Sequence, residues 1–311
     1  MDPGYDVIGD VHGQDLKLQE LLKALGYRVH SGAHRHPAGR VAVFVGDLID
    51  RGPGQVEVLG IVRRMEAAGS ARVVMGNHEL NAIGYATRGE DGVTWLRRHS
   101  AENEAQHRTF LDQVGWETPL HQELLGWFRS LPVALDLGGI RVCHAWWNDE
   151  RIAAVAGASD SEGGLSEEYL RASFRKGDAA NEVLDGITKG LEVALPEGSG
   201  FVDHGGTSRK HVRVRWWDTD VQTYRAAAIV PEHQRQQIPE ALLPAGMPPG
   251  NASVVPVFVG HYWLSGNPAP QNDNTAVLDY GAGLDGPLVA YRWEGEPKLN
   301  ESHFVAIGGR T

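Results

Sequence analysis

Short apolar runs that each stop at a glycine and open into aspartate, histidine or asparagine constrain the fold of this chain most strongly. YDVIG (5–9) runs into Asp10, His12 and Gly13, VAVFVG (41–46) into DLIDRGP, and ARVVMG (71–76) into NHE. Brief apolar runs bounded by glycine read as buried strands. Between them lie helical patterns. Leu18, Leu21, Leu22 and Leu25 follow i, i+3, i+4, i+7 spacing, with Asp15 the expected N-cap and Gly26 the stop, and Val58, Ile61, Val62 and Met65 line one face up to Gly69. Strand, loop and helix in repetition imply a layered α/β domain, in which a ligand site gathers at the carboxyl ends of the strands.

The pattern resumes further along. After a polar helical stretch around 90–130, VALDL (133–137) and IRVCH (140–144) flank Gly138-Gly139 and predict a hairpin ending at His144. From 146 to 251 the pattern is less regular, with a helical candidate near 167–176, a strand VRVRWW (212–217) and a Pro-rich connection at 231–250. This segment reads as an insertion or cap within a single domain spanning 1–311. VVPVFVG (254–260) then leads to His261, and TAVLDY (275–280) and LVAYRW (288–293) follow, separated by a glycine-rich turn.

Composition narrows the class. With 41% hydrophobic and 22% charged residues the chain has a soluble globular balance, and its apolar runs fall far short of the ~18 residues that span a bilayer. The opening MDPGYDVIGD has no basic stretch followed by an apolar one, so the expected compartment is the cytoplasm. A lone cysteine, Cys143, leaves histidine and carboxylate as the available metal ligands and is expected to be a packed thiol. Lys+Arg number 29 against 40 Asp+Glu, a net charge of −11. That balance argues against a long nucleic-acid track but leaves room for a small phosphorylated substrate at a local positive site.

The strand ends carry Asp10 and His12, Asp47, Asn77 and His78, His144, and His261. Oxygen and imidazole ligands of this kind suit divalent Mn, Fe, Zn, Co or Ni, and together they could supply a two-metal site with one carboxylate as the bridge. GDVHG (9–13), GDLIDRGP (46–53) and GNHE (76–79), followed by two further strand-end histidines, resemble the calcineurin-like metallophosphoesterases, in particular the phosphoprotein-phosphatase branch found in bacteria. The resemblance implies two mixed β-sheets packed as a sandwich and flanked by helices, with a dinuclear centre at the strand ends. It implies that Asp10, His12 and Asp47 hold the first metal and that Asp47, Asn77, His144 and His261 hold the second, Asp47 bridging. The ions expected are divalent, manganese first, with Fe, Zn, Co, Ni or Mg as alternatives. It further implies that hydroxide generated at this centre attacks phosphorus directly, that His78, oriented by Asp50, protonates the leaving oxygen, and that Arg51 grips the phosphate oxygens, with Asn77 alongside.

Three departures bear on substrate. HGG (204–206) offers His204 as a rival second-metal ligand, but His144 follows the clearer core strand. GHYW (260–263) places Trp263 where nuclease members of the superfamily carry a second histidine, and Met75 stands before GNHE where protein phosphatases usually have a basic residue. In VRVRWW, alternation puts Arg213, Arg215 and Trp217 on the face opposite Val212, Val214 and Trp216, so those arginines are candidate phosphate ligands if that face meets the cleft. Trp146, Trp147 and Tyr280 are candidate walls of the site, while His34 and His36 are expected at the surface. The leading expectation is a phosphomonoesterase acting on a phosphorylated small molecule or a phosphoprotein. The alternatives are a hydrolase of symmetric dinucleoside polyphosphates of the Ap4A type, a polynucleotide-end phosphatase or phosphodiesterase, and a metal-blind scaffold that keeps the fold for protein binding.

Overall fold

The computed structural model describes residues 4–158, 164–202 and 206–309. The first half runs β1 (Tyr5–Ile8), α1 (Asp15–Ala24), a hairpin of β2 (Arg28–His30) and β3 (Ala33–Arg35), β4 (Val41–Phe44), α2 (Gln55–Ala67), β5 (Ala71–Val73) and α3 (Asn77–Tyr85). Helices α4 (Ala101–Val114) and α5 (Pro119–Ser130) lead to the hairpin β6 (Ala134–Asp136) and β7 (Arg141–Cys143). Then come α6 (Asp149–Ala156), α7 (Glu167–Ser173), α8 (Ala179–Lys189), β8 (Glu192–Ala194), β9 (Phe201–Val202), β10 (Ser208–Arg209), β11 (His211–Arg213), α9 (Tyr224–Ala227) and α10 (Glu232–Arg235). The chain closes with β12 (Val257–Val259), β13 (Thr275–Val277), β14 (Leu288–Trp293) and β15 (Phe304–Ile307).

Two mixed sheets organise these elements, in the orders β15-β14-β1-β4-β5 and β13-β12-β7-β6. Strand β1 is parallel to β4 and antiparallel to β14, and β12 is parallel to both β7 and β13. Period-two alternation divides each strand between two cores. Val7, Val43, Val289 and Tyr291 of the first sheet meet Val142, Phe258 and Ala276 of the second in one buried cluster. Ile8, Phe44 and Ala290, with Cys143, Val257 and Val277, face outward into a second cluster shared with the helices. This is a two-sheet sandwich flanked by helices, as the resemblance implied.

Local differences have local causes. Asp15 opens α1 as its first residue, and Gln14 takes the cap position without a side-chain cap bond. Of VRVRWW only Val212 and Arg213 lie in a strand, β11, with Val214 adding an isolated bridge to Ala228. Val212, Val214 and Trp216 are fully buried, so the alternation holds, but Trp217 is buried too, at 4% exposure. The backbone leaves the ladder there because Trp216 Nε1 donates to Ala145 O and Tyr262 Oη, anchoring the segment beside the end of β7. Tyr280 packs in the cluster between the sheets and accepts a bond from Ala269 N, so it does not wall a cleft. Trp146 and Trp147 likewise pack in the helix-side core. Cys143 is fully buried, and burial pushes its thiol up. His34 lies half-buried in β3. His204 lies outside the described residues.

Candidate metal centre

The loops after β1, β4, β7 and β12, and the start of α3, converge on one point. Their backbones are tightly constrained: His12, Asp47, Asp50, Arg51 and His261 all have positive φ, between 46° and 74°. Glycine makes the convergence possible. A Cβ on Gly76 would sit 2.2 Å from Asp47 Oδ1, and one on Gly260 would sit 1.9 Å from Asp10 Oδ1. The glycines read in the sequence as strand punctuation are thus also the gaps into which the carboxylates fit.

Asp47 occupies the middle. Its Oδ2 lies 3.3 Å from His144 Nε2, 3.7 Å from His12 Nε2 and 3.8 Å from His78 Nε2, while Oδ1 accepts from His78 N at 2.9 Å. His12 Nδ1 donates to Ile49 O and His144 Nδ1 to Val45 O, which turns Nε2 of each ring toward Asp47. Asn77 Oδ1 is 3.1 Å from His144 Nε2. Asp10 accepts from His261 N. Ligand atoms of His12, Asp47 and His78 lie within 4.8 Å of one another, as do those of Asp47, His144 and His261, so the two groups share Asp47.

The donor set fits cations. His12 Nε2 and His261 Nε2 are buried with no hydrogen-bond partner among the described residues, although both rings face the cluster. Burial lowers the His12 imidazole to about 3, and burial likewise carries His261 well below the usual range, so both rings are neutral and their lone pairs free to ligate. Burial opposes charge on His144 as well, but Asp47 overrides it and pushes that imidazole up to about 10. A cation between Asp47 and His144 would take the place of that proton. Burial, with Asp279 nearby, raises Asp10 well above the usual carboxylate range.

Around this cluster stand the other expected residues. His78 Nδ1 donates to Asp50 Oδ2 at 2.5 Å, so its Nε2 is the nitrogen that faces the centre. Burial disfavours the imidazolium, but Asp47 and Asp50 outweigh it and raise His78. The Arg51 guanidinium lies 4.1 Å from the centroid of the Trp263 ring, and Trp263 is 44% exposed at the rim. Arg213 pairs with Glu192 at 3.2 Å and stands near enough to His261 to depress it further. Arg215 is engaged elsewhere, with Asp218 and the backbone carbonyl of Ala226.

Some neighbours were not legible as site residues. Asp279, buried and raised to about 6 chiefly by burial, accepts from Trp263 N and Gly281 N and so fixes the Trp263 loop. Glu79 was legible only as the last letter of GNHE, yet its carboxylate accepts from Asp47 N, Leu48 N and Gly76 N. His107 carries no local signal at all within the polar helix α4, yet its Nδ1 reaches Asp50 Oδ1 at 2.8 Å.

A sandwich of mixed sheets with carboxylates and imidazoles gathered at its strand ends defines a metal-dependent phosphoesterase. The chain belongs to the calcineurin-like phosphoesterase family, whose profile matches residues 5–176. It is 49% identical over 74 residues to the asymmetrical bis(5'-nucleosyl)-tetraphosphatase PrpE of Halalkalibacterium halodurans, a match spanning 24% of this chain and 30% of that one. The PrpE of Bacillus velezensis is 45% identical over 212 residues, 68% of this chain and 80% of the relative. A symmetrical bis(5'-nucleosyl)-tetraphosphatase of Methylobacillus flagellatus is 26% identical across 98% of this chain and 97% of its own length. The chain therefore spans less than a third of the first of these relatives and nearly all of the last. Among the described residues no helix is long and apolar enough to cross a membrane.

Proposed function

We propose that this protein hydrolyses dinucleoside polyphosphates, using two divalent cations held by Asp10, His12, Asp47, Asn77, His144 and His261. The observation that carries the reading is Arg51 stacked on the half-exposed ring of Trp263 at the rim of the centre. That pairing sets a fork for phosphate oxygens beside an aromatic face suited to a nucleobase. The names of the relatives support it, and it reverses the order of the sequence reading, in which phosphomonoesters came first. Phosphomonoester hydrolysis stays as the second reading, because the pair formed by His78 and Asp50 would serve either leaving group.

When bound, two cations sharing a carboxylate make hydroxide available near neutral pH and polarise phosphoryl oxygens. The chain's own residues do the rest. Asp47, common to both candidate ligand groups, would serve both ions. Arg51, with Asn77 at the start of α3, orients the phosphate. His78 delivers a proton from Nε2 to the departing phosphate oxygen, and Asp50 holds its ring in place through Nδ1. We assign Arg213 a supporting place beside His261 and leave Arg215 out of the site. Segment 146–251 acts as a wall for this site, docked through Trp216, whose Nε1 donates to Ala145 O and to Tyr262 Oη in the loop after β12.

The test is hydrolysis after Mn²⁺ loading of diadenosine tetraphosphate, p-nitrophenyl phosphate, an alkyl phosphate and a phosphopeptide, with product analysis. A dinucleotide preference is expected, and Trp263→Ala should raise KM for the dinucleotide about tenfold relative to that for the alkyl phosphate, in line with ~1–3 kcal/mol per stacked base. ADP alone as product means a symmetric cut, and ATP with AMP an asymmetric one. Preference for the phosphopeptide would overturn the reading in favour of the phosphomonoesterase.

A further inference from the structure

Asp50 is held from both sides. Its Oδ2 accepts from His78 Nδ1 at 2.5 Å and its Oδ1 from His107 Nδ1 at 2.8 Å. Asp50, His78 and His107 are 1%, 3% and 1% exposed, so no solvent competes for either bond. Asp50 N also donates to Gln55 Oε1 at 2.8 Å. A carboxylate bonded through one oxygen can still pivot about its Cβ–Cγ bond, whereas bonds to both oxygens fix its plane.

The second imidazole is itself firmly seated. His107 stacks on Phe110 with ring centroids 4.9 Å apart and meets the edge of Tyr85 at 5.4 Å. It arrives on α4, whose N-cap Ser100 accepts from Asn103 N, and that helix supplies none of the proposed metal ligands. We propose that His107 is a positioning residue: by holding Asp50 Oδ1 it keeps Asp50 aligned to orient the His78 ring toward the leaving oxygen. The inference rests on the reading of His78 as the proton donor, and goes beyond it by making α4 part of the catalytic apparatus.

His107→Leu removes the donor while keeping an apolar side chain, and His107→Asn restores an N–H close to where Nδ1 stood. On the Mn²⁺-loaded enzyme with a series of aryl phosphates, His107→Leu should lower kcat about tenfold for the poorest leaving group, less for good ones, with KM and metal content unchanged. This is a fraction of the ~10²–10⁴-fold that a general acid contributes. His107→Asn should recover most of the loss. In the His78→Ala background His107→Leu should have no further effect, because residues acting through one group are not additive. In ¹⁵N-histidine-labelled protein the His78 Nδ1–H resonance should shift in His107→Leu and return in His107→Asn. Equal slowing of every leaving group, an additive loss in the double variant, or an unmoved resonance would overturn the proposal. If His78→Ala itself shows no leaving-group dependence, the reading of His78 fails first, and the resonance still reports whether His107 positions Asp50.

Discussion

One oxygen of Asp47 faces imidazole nitrogens of His144, His12 and His78 within 3.8 Å, and among the described residues Asp47 is the member common to both candidate ligand groups. Removing its charge should therefore empty both positions together. For Asp47→Asn we expect Mn²⁺ affinity to fall by more than ~100-fold, beyond the 10–100-fold typical of losing an outer-shell partner, with turnover lost in parallel. Titration calorimetry with Mn²⁺ checks this, and two intact sites would exclude Asp47 as the bridge. At this scale the sequence was highly legible where chemistry demands a residue type next to a strand end. Asp10, His12, Asp47, Asn77, His78 and His261 stood out because a glycine stands within two residues of each, and His144 because it closes the apolar run IRVC. His107 and Asp279 did not, since a histidine within a polar helix and an aspartate within TAVLDY carry no local mark of where their side chains will meet the loops. Arg215 was a candidate only if its face met the cleft, and alternation along VRVRWW carries no sign of its pairing with Asp218.

Helix α3 and the loop after β4 form one structural unit through a single side chain. Glu79, in the first turn of α3, accepts from Gly76 N at the head of its own helix and from Asp47 N and Leu48 N across the gap, at 2.8–3.0 Å. Its carboxylate satisfies the orphan donor at the helix start and fixes the peptide that aims Asp47. Glu79→Ala would strand buried N–H groups at ~1–3 kcal/mol each. We expect a loss of about 3 kcal/mol or more in urea unfolding, with the m-value unchanged, and weaker Mn²⁺ binding. Glu79→Gln, which keeps acceptor capacity at one oxygen only, should fall between. If Glu79→Ala unfolded at the wild-type midpoint, the loop would have to be held by its backbone bonds alone. Elements with strong periodicity, such as α1, α2 and β14, were legible to within a residue or two. The run VRVRWW was not, because tertiary anchoring of Trp216 overrides strand propensity there. The hairpin of β2 and β3 also gave no signal, being mostly exposed and lacking an apolar stripe, and the short edge strand β15, a half-buried FVAI run, was not read as a strand.

On the scale of the molecule, the proposed ligands come from both sheets. Asp10, His12 and Asp47 follow β1 and β4 of the first sheet, and His144 and His261 follow β7 and β12 of the second. The sandwich was legible only through the motifs that resemble the family, because nothing local in an apolar run states which sheet it will join. With ligands on both sides, bound cations would pin the two sheets together at one end, and stability should report it. A ligand that binds only the folded state at a hundred times its Kd adds ~2.7 kcal/mol. For a chain of this size that corresponds to roughly 4 °C in Tm per ion. Thermal unfolding in saturating Mn²⁺ should therefore rise against the EDTA-treated protein, as one transition, and Asp47→Asn should remove the difference. A metal-induced shift confined to one of two separate transitions would mean that the sheets unfold independently and that the ligands do not span them.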